Sequence, residues 1–581
     1  MTSEAITRVF SEAAGLGIPE ASLTVREWAD AYRYLSPERS ARHGKFRTEV
    51  VPHLRVPMEL VSRPDLREMS LWKASQVAGT IFVENVIGYY IHHDPSPILY
   101  CAEDESKATS WFVESFRPTV RDTPVLAALI GDPRSRDTQN TINHGVGFPG
   151  GHLALGWATS PATASSRPRR VVILDELDAY ARTKEGDYGE LAEARARTFP
   201  DKKILRVSSA RNRVPPPAGS PADAVAMSPI ERAYYESRFR GRIHVPCPHC
   251  REYQELVWRD EHGHRIRWDG DDRLNAYFVC RHCGACIEHG EKQGMLAACR
   301  WLFEGPEGKL YWEDELDSVE LVSVGLFIWE GYSPFTTWGE IAADQPPRHK
   351  VERLKVWLNT RLAEPWDELQ EQAEVSDLTA RRDDYVIAGE DGPQVVAPAG
   401  VLVVTAASDT QGDRLETEIV GWGVDGESWS LGYYVIEGAP SRRDVWDDLK
   451  RLWLEPIPRA DGAELRVAAA CVDTGGHHSE EGYHFCRENA GRKWRAVKGA
   501  SAPGRPLVSK PSFLRKPGGT VRLYLVGTET AKDTFAARLL VEEPGPGYCH
   551  FPPSTSATVA SITTRSISSS SAASAPSRAR A

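Results

Sequence analysis

The stretch WKASQVAGT, Trp72–Thr80, runs into IFVENVIGYYI, whose apolar residues recur at roughly helical spacing. A loop that opens a helix in this way often holds nucleotide phosphates, and the usual G-x-x-x-x-G-K-[ST] puts a lysine directly before the hydroxyl residue. Here that place is Gly79, and the lysine, Lys73, stands at the front of the stretch. The cradle itself survives such a change. Phosphate is bound largely by backbone N–H groups and the helix N-terminus, for which small residues such as Ala78 and Gly79 suffice. The expectation is a phosphate loop of Lys73, Gln76, Val77, Ala78, Gly79 and Thr80, with its positive charge from Lys73 and the Thr80 hydroxyl on Mg²⁺.

Two further strand ends fit that reading. RRVVILDELDAY carries four apolar residues, Val171 to Leu174, into Asp175-Glu176. A buried strand ending in two acids suits a Walker B motif, where the first holds Mg²⁺ through water and the second polarises the attacking water. KILRVSSAR ends in Ser208-Ser209, where a polar sensor of the γ-phosphate would sit. From Leu71 to Ser209 short apolar runs alternate with helical patterns, which predicts a mostly parallel sheet covered by helices.

Bulk properties bound the rest. A chain of 581 residues with 41% hydrophobic and 26% charged content reads as about three to four ordinary globular domains. A formal charge of −11 argues against a protein that coats nucleic acid by overall basicity, and leaves a local basic channel open. No run approaches the ~18 apolar residues of a membrane span, and MTSEAITRVFSEAAG lacks the pattern of a secretory leader, so a cytosolic, membrane-free protein is expected. Five of the ten cysteines crowd between Cys247 and Cys286. Cys247-Pro-His-Cys250 and Cys280-Arg-His-Cys283 form two C-x₂-C knuckles, the pattern of a closed structural Cys₄ zinc site, with Cys286 as a spare.

A second α/β pattern begins at VLVVTAASD. One strand ends at Asp409 and another, LRVAAACVDTGG, at Asp473. Two acids at strand ends on the same side of a sheet, with a third nearby, would bind a metal pair ~4 Å apart for phosphodiester hydrolysis. The third is Glu529 or Asp533 in YLVGTETAKD. The layout expected is an N-terminal helical segment at 1–60, a P-loop domain at 61–242, a zinc-ribbon-like insertion at 243–300, a linker or helical subdomain at 301–397, a second α/β domain at 398–553 and a disordered Ser/Ala-rich tail at 554–581.

Taken together these residues resemble the large terminase subunit of tailed bacteriophages, in the lambda-type GpA family. The resemblance runs from about Leu23 to Pro552 and includes LTVREWADAYRYLS, DPSPILYCAEDESKA, VPCPHC with FVCRHCG, YSPFTTW, LKVWLNTRLAEPWDE, SDTQGDRLETEIVGWG, CVDTGG and VKG. It implies a P-loop ATPase of the additional-strand, RecA-like class that drives duplex DNA into a procapsid, and an RNase H-like nuclease that cuts the concatemer. ATP, Mg²⁺ (or Mn²⁺ at the nuclease) and structural Zn²⁺ are the implied cofactors. Phage DNA, a small terminase subunit, the portal of the procapsid and further copies in a ring are the implied partners, in the cytoplasm of a bacterial host and not in the mature virion. Asp175 and Glu176 take the Walker B roles, Ser208 and Ser209 the coupling motif, and Asp409, Asp473 and Glu529 the nuclease metals.

Three departures from the family pattern stand out. Pro52-His53 has histidine where an aromatic is usual near the adenine, Glu529 stands for the commoner aspartate, and the Ser/Ala/Arg-rich end reads as the product of a frame shift near Pro552 or Pro553. The competing expectations are a helicase-like P-loop ATPase without a nuclease, and a decayed prophage remnant that binds DNA or a partner without turnover.

Overall fold

The computed structural model describes residues 23–562 apart from 39–41, 131–144, 165–166, 181–185, 215–224, 348–349, 367–380, 384, 390–391, 477, 501–504, 517, 542 and 553–558. The chain divides into two compact units: Met1–Gln345 with Lys355–Asp367, and Pro346–Leu354 with Glu368–Ala581.

In the first unit, helix α1 (Val25–Tyr32) starts at a capping box in which Thr24 and Glu27 satisfy each other's backbone N–H groups. It packs its fully buried Trp28 on helix α2 (Gly79–His92), the helix that follows WKASQVA. The indole lies so close that a Cβ on Gly88 would come within 2.3 Å of its Cη2, so only glycine lets the two helices meet here. Arg33, just beyond α1, forms a buried ion pair with Glu84 of α2 at 2.5 Å and donates to Asn85 Oδ1 at 3.3 Å. A helix that is apolar almost all round, as α2 is, needs such cover on every face.

Eight strands organise the sheet: β1 (Glu68–Lys73), β2 (Ile98–Ala102), β3 (Gly151–Trp157), β4 (Val171–Asp175), β5 (Lys203–Ser208), β6 (Phe239–Pro246), β7 (Arg300–Glu304) and β8 (Ser323–Ile328). Their order is β7-β6-β8-β1-β5-β4-β2-β3, with shorter strands at both edges. All neighbours from β6 through β8 to β3 run parallel, and β7 is antiparallel to β6. The near-continuous apolar runs of β2 and β4 are what a sheet covered on both faces requires. Because β5 lies between β1 and β4, the strand ending in Ser208 separates the lysine strand from the acid strand, which is the additional-strand order of RecA-like ATPases.

The boundary expected at 242–243 falls inside β6, and the stretch expected to be a linker from 301 supplies β7 and β8 to the same sheet. The cysteine-bearing hairpins and the short helix α3 (Lys292–Ala297) are therefore an excursion between two sheet strands. A short apolar run such as SVGLFI carries no sign of its sheet partners, which come from residues far away in sequence.

The second unit is built on β9 (Val403–Thr410), β10 (Arg414–Trp422), β11 (Ser428–Glu437), β12 (Val467–Asp473), β13 (Trp494–Ala500) and β14 (Gly519–Gly527). β9, β10 and β11 form an antiparallel meander, and β12, β13 and β14 continue it parallel to β9, in the order β11-β10-β9-β12-β13-β14. This is the RNase H-like arrangement. Helix α4 (Arg443–Leu454) buries Val445, Trp446, Leu449 and Trp453, and α5 (Ser479–Glu488) adds Tyr483 and Phe485 to the same core; α6 (Thr528–Leu539) follows β14.

The expectation of disorder from residue 554 needs correcting. β15 (Val559–Ile562) pairs in parallel with β11. The β-branched ends of this short segment suit a strand, and β11 offers an edge whose backbone groups need partners. Residues 563–581 lie outside the described residues.

Gly88→Ala is expected to destabilise the first unit by about 1–3 kcal/mol through overpacking against Trp28, although alanine is the better helix former. Urea unfolding followed by tryptophan fluorescence reads the change; a stabilised variant would contradict the close approach.

Candidate functional site

Lys73 is the last residue of β1 and is 7% exposed. Its stem crosses the start of α2: a Cβ on Gly79 would lie 2.5 Å from Lys73 Cδ and 2.6 Å from Cε. The glycine found where the usual lysine stands is thus the space through which Lys73 passes. Between them the loop turns on two left-handed residues, Gln76 (φ 58°) and Ala78 (φ 61°). Alternation into the left-handed region gathers successive N–H groups into a concave anion-binding nest, and the first turn of α2 adds N–H groups with no acceptor within the helix. Thr80 is exposed at that first turn.

Lys73 Nζ meets Glu176 Oε1 at 2.8 Å. Glu176 sits just past β4 in a left-handed conformation (φ 52°), its other carboxylate oxygen accepting from Ser209 N at 3.3 Å. Three neighbouring strands, β1, β5 and β4, thus converge on one carboxylate. Burial works against ionisation of Glu176, but the Lys73 charge and hydrogen bond hold its carboxyl below the ordinary range. Asp175 behaves oppositely: desolvation pushes it up to about 6 even though Lys73 opposes this and Tyr100 donates to its Oδ2 at 2.7 Å. A pair of adjacent acids whose environments separate their protonation in this way suits two different roles. Ser208 Oγ accepts from Asp178 N at 3.0 Å, so Ser208 fixes the turn after the acids while Ser209 touches Glu176 through its backbone.

The loop is braced by segments that carry no chemistry visible in sequence. Ala74 N donates to Ile328 O (2.8 Å), Ser75 N to Thr360 O (2.8 Å), and Ser333 Oγ to Gln76 O (2.8 Å). Trp72 Nε1 donates to Ala363 O, and Asn359 donates to the carbonyls of Ala210 and Arg211, directly beyond Ser209. Apart from Ile328 at the end of β8, these partners lie in YSPFTTW and LKVWLNTRLAEPWDE. His53, the residue at the expected adenine position, is fully buried with Nε2 3.1 Å from Val77 O. Burial pushes its pKa down to about 4, so at neutral pH a neutral ring donates to that carbonyl. Tyr100 and His53 are site residues that sequence reasoning did not assign these jobs, and only their place in family motifs could have flagged them.

The knuckles close on one another as expected. The sulfurs of Cys247, Cys250, Cys280 and Cys283 all lie within 4.8 Å of each other, with Cys247–Cys283 and Cys250–Cys280 at 3.9 Å. A tetrahedron of Zn–S bonds near 2.3 Å has edges of about 3.8 Å, so the four sulfurs fit one zinc ion. Gln254 Nε2 (3.2 Å) and His282 N (3.4 Å) point at Cys280 Sγ. Cys286 stands outside the group, on a neighbouring strand.

In the second unit Asp409 and Asp473 lie at the carboxyl ends of β9 and β12, and Glu529 lies just past the carboxyl end of β14, which runs in the same direction. Ser408 is in register with Val472 on the core face, which puts Asp409 and Asp473 side by side on the opposite face of parallel β9 and β12. Thr410 Oγ1 donates to Asp473 O (2.9 Å), and Gly475 N donates to Asp473 Oδ1 (2.8 Å). Glu529 is the second residue of α6, just past β14 and two strands from Asp473. Glu416, directly across from Asp409 on β10, is a further carboxylate on that face; its hydrogen bond from Tyr433 and its pairing with Arg414 hold it below the ordinary range. Among the described residues only the four cysteines converge within metal-ligand distance as a group of three or more.

The fold and these sites define a nucleotide-driven P-loop enzyme joined to an RNase H-like nuclease. Residues 40–301 match the family described as the ATPase domain of the phage terminase large subunit gpA, and residues 323–561 match its endonuclease domain. The large terminase subunit of Escherichia phage lambda is 28% identical over 549 residues, 91% of this chain and 81% of that protein. That of Enterobacteria phage P21 is 28% identical over 536 residues, 89% of this chain and 78% of that protein. The crystal structure of the HK97 bacteriophage large terminase aligns over 83% of this chain and 85% of that one, with 10% identity and a TM-score of 0.34. The chain belongs to the lambda-type family of phage terminase large subunits.

Asp175 yields a pH prediction. A carboxyl raised to about 6 favours the folded state below its unfolded pKa of 3.8, and that contribution is lost as pH rises through 6. Asp175→Asn is therefore expected to stabilise the Mg²⁺-free protein by up to about 3 kcal/mol at pH 8 and by about half as much at pH 5, where only part of the contribution has been lost. Urea midpoints at the two pH values test this; equal effects at both would refute it.

Proposed function

We propose that this chain is the large subunit of a terminase that uses ATP hydrolysis to package phage double-stranded DNA and cuts that DNA with a divalent-metal endonuclease. Both enzymatic domains of the family are present, so the chain is an ATPase and an endonuclease. The observation that carries the motor half is the contact of Lys73 and Ser209 with the one carboxylate of Glu176.

In this reading the Lys73–Glu176 ion pair is the resting arrangement of the site. The triphosphate enters the nest at 76–80, and its charge competes for Lys73, whose stem already lies along the helix start. Glu176, relieved of its partner, orients and polarises the attacking water. Asp175 and Thr80 would hold Mg²⁺, which when bound would supply neutralisation of the charge on the phosphates. Ser209 reports the state of Glu176 through β5, and Asn359 carries that state to the segment that braces the loop. The oxygen donors Asp409 and Asp473, with Glu529 nearby, suit Mg²⁺ or Mn²⁺. When bound there, such ions supply Lewis-acid stabilisation of a phosphodiester cleavage.

The zinc site is structural: four sulfurs leave no open ligand position. Its first knuckle follows β6 and its second follows the separate strand Tyr277–Val279, so zinc would fix the excursion to the ATPase sheet. The partners in this reading are duplex DNA, a small terminase subunit, a portal and further copies of the chain, in the cytoplasm of a bacterial host. No helix among the described residues is long and apolar enough to cross a membrane. The prophage-remnant reading leaned on Gly79 and on the Ser/Ala/Arg-rich end, and the passage of Lys73 across Gly79 weakens the first of these supports.

Mg²⁺-dependent ATP hydrolysis and plasmid cutting should separate in variants of the full chain. Lys73→Ala and Glu176→Gln are expected to lower hydrolysis by about a hundredfold or more while retaining cutting, and Asp473→Asn to do the reverse. A parent that is folded yet hydrolyses no ATP, or an Asp473→Asn variant that still cuts, would contradict the assignment.

A further inference from the structure

We infer that Phe335 is the surface on which the nucleobase of the bound nucleotide stacks; this rests on the reading of 73–80 as a phosphate loop. The sheet gives the direction. Glu176 and Ser209 follow β4 and β5 and mark the γ-phosphate end of the site on one side of β1. The sugar and base therefore leave on the other side of β1, where β8 is the next strand. The chain beyond β8 runs through the turn Glu330–Tyr332 into the loop that holds Phe335.

That loop is locked to the phosphate cradle. Ser333 Oγ donates to Gln76 O at 2.8 Å and accepts from Phe335 N at 3.2 Å, so one hydroxyl sets the position of both the loop and the aromatic residue. Tyr332, Ser333, Thr336 and Trp338 around it are buried, whereas Phe335 is 48% exposed. A large apolar ring half in water on an otherwise anchored turn is a ready stacking platform, and every base offers a π-face to it. The Arg42 guanidinium stands 5.9 Å from the ring centroid, bringing a second planar group from the segment that precedes β1. His53 is unsuited to the task, being buried beneath the loop with its Nε2 on Val77 O. The ligand class is a nucleoside di- or triphosphate, and the contact is one of affinity, separate from the chemistry at Glu176.

Binding of Mg²⁺–ADP and of inorganic tripolyphosphate to the full-length protein tests this by calorimetry. Phe335→Ala is expected to weaken ADP about tenfold or more and to leave tripolyphosphate within twofold, while Phe335→Trp keeps ADP affinity. Lys73→Ala should weaken both ligands. Unchanged ADP affinity in Phe335→Ala, or equal loss of both ligands, overturns the inference. A folded parent that binds neither ligand overturns the phosphate-loop reading, and the inference falls with it.

Discussion

The passage of the Lys73 stem across Gly79 is the constraint on which the first unit depends. A lysine at the end of β1 can reach the phosphate cradle only by lying along the helix start, and any side chain at position 79 would occupy that path. Moving the lysine from the helix to the strand also changes what it touches. From β1 it meets Glu176 across the sheet, and its ammonium lowers that acid while the neighbouring Asp175 is raised by desolvation. Lys73 thus holds Glu176 down, while burial overrides it at Asp175. Opposite shifts on adjacent carboxylates are the usual mark of divided catalytic labour.

The remaining packing supports that geometry from two directions. On one side Trp28 and Arg33 hold α2 through Gly88 and Glu84, so the helix that presents the cradle is fixed along its length. On the other, Ser333, Asn359, Thr360 and Ala363 tie the loop and the end of β5 to the segment after β8. That segment touches both the phosphate loop and the residues beyond the coupling serines. The loop and the end of β5 are therefore linked by a short covalent and hydrogen-bonded route through one segment.

Much of this was legible in the sequence, for identifiable reasons. The helix after WKASQVA and the buried strand ahead of Asp175-Glu176 were readable because small residues before a helix and acids after a buried run each have a local physical cause. The Cys₄ group was readable from spacing alone. What escaped was tertiary. SVGLFI and RWLFE look like any apolar runs, and nothing local says that they complete a sheet begun some hundreds of residues earlier, hence the misplaced boundary near residue 242. β15 was hidden by its Ser/Ala-rich surroundings because an edge strand borrows its stability from the strand it joins. Asp409 and Asp473 stand at strand ends as read, yet Glu416 across from Asp409 went unnoticed, since cross-strand register is invisible before the strands are paired.

The most direct test of the account is a crystal structure of the full chain with Mg²⁺, ADP and aluminium fluoride. The account predicts that Lys73 Nζ leaves Glu176 and lies about 3 Å from phosphate oxygens, with Glu176 turned to a water in line with the fluoride. A complex in which Lys73 stays on Glu176 and another cation contacts the phosphates would contradict it.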